Sequence, residues 1–92
     1  MDKLKRGTQI VYVPSHIRRK DGSYNKKSSF LERGFVTSGP TLDGSYMCRY
    51  WSKSDVEDLR TKANSELTPA DCIVVEETYP PSMVQKMLDK YC

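Results

Sequence analysis

Apolar and polar residues alternate along this chain in short runs, and the period changes only in the last dozen residues. Gln9-Ile10-Val11-Tyr12-Val13 is β-branched and aromatic, carries apolar side chains on both alternating faces, and is ended by Pro14. Such a run predicts a strand buried on both sides or wrapped into a small barrel. Gly34-Phe35-Val36-Thr37-Ser38 predicts a second strand and Tyr46-Met47-Cys48-Arg49-Tyr50-Trp51 a third. The link between them holds Gly39-Pro40 and Asp43-Gly44, which is hairpin chemistry. Ser54 and Glu57 stand at capping-box spacing in a loop or single helical turn. Leu59-Arg60-Thr61 predicts a short strand, and the polar run Lys62 to Glu66 a connection. Thr68-Pro69-Ala70-Asp71 predicts one 3₁₀ turn, because proline presets the first turn position. Cys72-Ile73-Val74-Val75 is the last predicted strand.

Two segments break this rhythm. Ser15 to Ser29 has no periodicity and a turn signal at Asp21-Gly22, so it predicts a long basic loop or a loosely formed hairpin. At the other end Pro80-Pro81 stops the sheet, and Ser82-Met83-Val84-Gln85 reads as a capping box. Met83, Val84, Met87, Leu88 and Tyr91 then recur at helical spacing. A helix of roughly two to three turns is unstable alone, so its stripe needs a cover. The first candidate is the open end of the domain itself. The others are a second copy of the chain, giving a homo-oligomer, or a target protein.

Together these elements predict a mainly β single domain over residues 1–92, with a barrel over 5–76, a basic insert at 15–29 and a helix over 80–92. A 3₁₀ turn leading into the final strand resembles the layout of the SH3-like barrel, which implies a small, partly open barrel. An α+β sheet with the terminal helix across one face is the alternative.

Length and composition agree with one domain near the small end of what a single core can hold together. Apolar residues are 37% of the chain, too many for a disordered tail, and no run approaches the ~20 apolar residues that span a bilayer. Met1-Asp2-Lys3-Leu4-Lys5-Arg6 lacks the apolar stretch of a signal peptide, so a cytoplasmic protein without a membrane partner is expected. Cys48, Cys72 and Cys92 are odd in number and include no Cys-x-x-Cys pair, which argues against a disulfide framework and a structural zinc site. Cys48 and Cys72 lie in apolar runs and read as small core residues, and Cys92 as exposed.

Charge adds the first functional hint. Residues 1–53 hold 11 Lys/Arg against 4 Asp/Glu, and residues 54–92 hold 4 against 8, so the halves carry +7 and −4. Either one side of the molecule attracts an anionic partner, or the segments interleave and the dipole partly cancels.

Catalytic signals are weak. The one histidine, His16, follows Pro14-Ser15, and no elbow-type glycine motif surrounds Cys48 or Cys72 to make a nucleophile of either. Asp55, Glu57 and Asp58 lack the order of a calcium loop, and no glycine-rich phosphate loop occurs. Neither an enzyme nor a cofactor is expected.

Binding signals are better. Strand alternation puts Met47, Arg49 and Trp51 on one face and Tyr46, Cys48 and Tyr50 on the other. The leading reading has Trp51 capping the core with Arg49 across its ring. The alternative makes Arg49, Tyr50 and Trp51, joined by Arg60 and Lys62, a platform for DNA, RNA or a nucleotide. Arg18, Arg19, Lys20, Lys26 and Lys27 form a basic loop with Tyr24 in its middle, suited to phosphates, to an acidic protein groove, or simply to solvent. Arg60, Lys62 and Asn64 offer convergent donors for a small ligand, although a turn explains Asn64 as well.

Four phrases carry a second resemblance: Gly7-Thr8-Gln9-Ile10-Val11-Tyr12-Val13-Pro14, Gly34-Phe35-Val36-Thr37-Ser38, Cys48-Arg49-Tyr50-Trp51 and Leu59-Arg60-Thr61-Lys62-Ala63-Asn64-Ser65-Glu66. They resemble small uncharacterised proteins encoded by phages and prophages, although the insert at Ile17 to Ser29 is more elaborate than that pattern. The resemblance implies a non-enzymatic viral protein in the host-cell cytoplasm that covers a host macromolecule, such as a component of antiviral defence. The expectation is therefore a binding module for a host protein or nucleoprotein complex, with direct nucleic-acid or nucleotide binding as the alternative and a structural component of a phage particle as the third class.

Overall fold

Gln9–Tyr12 forms β1, and its neighbours on both sides explain why nearly every side chain in it is apolar. The computed structural model describes residues 3–51, 61, 62 and 64–91. The other strands are β2 (Glu32–Ser38), β3 (Tyr46–Tyr50), β4 (Glu66–Thr68) and β5 (Ile73–Val75), followed by helix α1 (Pro81–Tyr91). Single 3₁₀ turns occupy Ser15–Ile17 and Ala70–Cys72. All pairings are antiparallel in the order β4-β3-β2-β1-β5, and the sheet curls into a half-barrel. The mainly β, partly open barrel with one C-terminal helix is thus the architecture of the protein.

Register assigns the faces. Ile10, Val36, Tyr46, Cys48 and Tyr50 make one buried cluster, completed by Leu4, Tyr12 and Ile73. The opposite face carries two lids. Over one part, Val84, Met87 and Leu88 of α1 pack on Phe35 and Trp51. Over the other, Ile17 and Tyr24 of the 15–29 insert join Leu31 against Val11, Val13 and Val74. Buried Val84, Met87 and Leu88 contribute about 1.5–3 kcal/mol each and hold the helix down, while the half-buried Ile17 and Tyr24 hold the insert by less. Val84, Met87 and Leu88 of the helix stripe are therefore covered by their own domain.

Two backbone details fix this geometry. Gly34 faces Tyr50 across the β2–β3 ladder, and a Cβ there would lie 2.3 Å from the Arg49 carbonyl oxygen. Gln9, itself buried, spans the sheet and the linker to α1: its Oε1 accepts from the Thr78 and Tyr79 amides at 3.1 and 2.9 Å, and its Nε2 donates to the Tyr79 carbonyl at 2.5 Å.

Several expectations need correction. The polar run ending at Glu66 is not only a connection, because Glu66 opens β4 opposite Cys48. Trp51 leaves the β3 ladder for an isolated bridge to Thr61. Ser82 does not cap α1: the helix starts at Pro81, where a missing N–H costs nothing, and Gln85 reaches forward to Asp89 at 3.0 Å instead of back. The insert is a loop, as expected, carrying one 3₁₀ turn, and what the sequence did not show is that its Ile17 and Tyr24 pack on the sheet. Ser54 to Arg60 and Cys92 lie outside the described residues, with the turn, strand and exposure expected there.

Candidate binding surface

Cys48 sits on the inner face of β3, and the side chains on either side of it decide what this strand offers to solvent. Tyr50 is buried, with its hydroxyl 2.5 Å from Thr68 Oγ1, and burial pushes its phenol well above the ordinary tyrosine range. Trp51 is only 4% exposed, held between Phe35 (ring centroids 5.5 Å apart) and Tyr79 (5.2 Å) beneath α1. A stacking platform on Tyr50 and Trp51 is therefore corrected: the helix covers the second face of β3 that alternation alone leaves open. Arg49 is half-buried, and its Nη1 donates to Thr61 Oγ1 and the Lys62 carbonyl, both at 3.3 Å.

The polar segment after β3 does not gather into the expected ligand pocket. Lys62 Nζ pairs with Glu32, which takes its charge away from a phosphate. Asn64 is exposed, and Arg60 lies outside the described residues. Burial likewise pushes both thiols up, Cys48 on the inner face and Cys72 beside Asp71, so neither is prepared as a nucleophile.

The insert is different. Its tip closes through Arg19 N donating to the Ser23 carbonyl (2.8 Å) and Gly22 N to the Arg19 carbonyl (2.9 Å), with Gly22 at the positive φ of 86° this turn requires. Asp21 is spent locally, accepting from Ser23 N and Oγ at 2.9 and 2.6 Å, and those bonds lower its pKa. The insert's one carboxylate is thus absorbed by the turn.

The five cations divide. Arg18 is half-buried and donates from Nη1 to the Asp71 carbonyl at 2.6 Å, bracing one 3₁₀ turn against the other. Lys26 lies 3.8 Å from Glu76, a surface pair that partly cancels the charge asymmetry. Arg19, Lys20 and Lys27 are exposed, and among the described residues none forms an ion pair. Tyr24 is half-buried against the Val11 cluster, so its ring serves packing.

One residue was missed by sequence reasoning. Asn25 Oδ1 accepts from Lys27 N (3.0 Å) and Ser28 Oγ from Phe30 N (3.2 Å), two successive side-chain-closed turns. They send Leu31 inward, 2% exposed, and Phe30 outward, 60% exposed. The Phe30 ring meets His16 edge-on, centroids 5.5 Å apart. The pair Phe30-Leu31 before a strand was the available signal, since only one of two adjacent large apolar residues can point at the same core.

Among the described residues no helix is long and apolar enough to cross a membrane, and no three His, Cys, Asp or Glu side chains cluster to hold a metal. Compared with known proteins, the sequence matches no family model and no curated protein, and the fold matches no solved structure.

Proposed function

We propose that this chain is a non-catalytic binding module that docks on an anionic host protein or nucleoprotein through its basic insert. The observation that carries the reading is the division of labour within that segment. Ile17 and Tyr24 hold it to the sheet, while Arg19, Lys20 and Lys27 remain exposed, with no carboxylate paired to them among the described residues. A cationic surface on an anchored loop steers anionic partners and loses less freedom on binding than a floppy one. The phage-like phrases of the sequence support a host partner in the cytoplasm, including a component of antiviral defence.

Site-specific photo-crosslinking in host lysate tests this. A crosslinker at Lys20 or Lys27 is expected to trap a discrete product that is lost at high salt and in an Arg19→Ser, Lys20→Ser, Lys27→Ser variant. A crosslinker at Asp43, on the β2–β3 connection, is expected to trap none. Equal trapping from Asp43, or trapping that ignores the three substitutions, would remove the insert as the docking surface.

A further inference from the structure

We infer that Phe30, three residues after Lys27 and in ring contact with His16, itself three and four residues before Arg19 and Lys20, is a stacking site for unpaired nucleotides, so that the nucleic-acid part of a nucleoprotein is what the insert touches. The inference rests on the docking function proposed for the insert and names its ligand.

Three observations point to nucleic acid in preference to a protein groove. Phe30 is 60% exposed, yet its apolar neighbours Ile17, Tyr24 and Leu31 turn toward the sheet, so the ring stands without an apolar rim. Protein interfaces centre on apolar anchors in charge-depleted cores, where lysine is scarce. An exposed ring on a segment that also carries exposed cations is instead suited to single strands, the ring taking a base and the cations the backbone. His16, in edge contact at 5.5 Å, supports the ring without covering it. Finally, the insert is built from turns and one 3₁₀ turn, with no helix or strand pair of its own to enter a major groove. An unpaired strand, whose bases are already open to stacking, fits where a duplex does not.

The test is fluorescence anisotropy of a labelled ten-nucleotide oligothymidylate with the full chain, from about 50 to 200 mM salt. Three comparators accompany it: an abasic strand of the same length, a duplex, and an oligouridylate. The wild type is expected to bind the two base-bearing single strands more tightly than the abasic strand or the duplex. Phe30→Ala is expected to weaken binding roughly 5- to 150-fold, the range for one stacked base, and to erase the preference over the abasic strand. Arg19→Ser, Lys20→Ser, Lys27→Ser is expected to lower the log–log salt slope by about 2, at roughly 0.7 per phosphate contact on a single strand. Circular dichroism melting of each variant separates lost contacts from lost fold, and Phe30→Leu supplies a second, apolar but non-stacking side chain. No binding at low salt, equal binding of the abasic strand, or wild-type affinity in Phe30→Ala would overturn the inference. If those failures coincide with insert-dependent crosslinking to protein in nuclease-treated lysate, the docking function stands and its ligand is a protein. If crosslinking fails as well, both fall.

Discussion

Tyr50 shows how a single side chain here answers to its surroundings more than to its type. It ends a strand whose basic and aromatic residues look like a binding face, yet its hydroxyl is committed to Thr68 and its ring lies in the core. Because burial raises its pKa, the unfolded chain releases the phenolic proton first. The stabilisation is complete below the ordinary tyrosine value of 10.0 and is lost as pH rises above it. Chemical denaturation at stepped pH should show the wild type losing up to about 1.4 kcal/mol per pH unit more than Tyr50→Phe above that value. At neutral pH the same variant should be about 1 kcal/mol less stable, for the lost hydrogen bond. Gly34→Ala should cost about 3 kcal/mol or more, since its Cβ would collide with the Arg49 carbonyl, and urea unfolding measures it. Gln9→Ala, which abandons the Thr78 and Tyr79 backbone groups, should cost about 2 kcal/mol by the same assay. Neither the collision nor the clamp was legible in the sequence, where Gly34 reads as a strand entrance and Gln9 as one polar residue in an apolar run.

Elements were easier to foresee than their neighbours. The β-branched runs marked β1, β2, β3 and β5 within a residue or two, and the Pro69 turn appears at Ala70–Cys72. Strand β4 was missed because Glu66 and Leu67 are both exposed at a sheet edge, where alternation has no buried face to report. The largest revision concerns the insert. Its charge was legible, but its anchoring was not, because Ile17, Tyr24 and Leu31 follow no period and meet Val11 only in three dimensions. One consequence separates the cations that sequence alone treats as equals. Arg18→Ser removes the brace to the Asp71 carbonyl and should lower the melting temperature by several degrees, an effect of about 1–2 kcal/mol. Lys20→Ser and Lys27→Ser, on exposed side chains, should leave it unchanged within about 0.5 kcal/mol.

On the scale of the whole molecule, the charge asymmetry survives folding in diluted form. Lys26 of the basic half meets Glu76 of the acidic half, whereas Lys62 and Glu32 are each the minority charge of their half, so only the first contact offsets the asymmetry. The aromatic content is likewise divided, with Trp51 and Tyr50 inside and Phe30 outside. The docking surface proposed is the set of exposed cations on the insert, and it can be tested with no partner in hand. Elution from a heparin column in a salt gradient compares two variants of equal charge: Arg19→Ser, Lys20→Ser, Lys27→Ser on the insert, and Lys3→Ser, Lys5→Ser, Lys86→Ser at exposed sites elsewhere. A concentrated anion-binding edge requires the insert variant to elute at clearly lower salt than both the wild type and its equal-charge control. Coincident elution of the two variants would mean that net charge alone governs anion binding and that the insert holds no such edge.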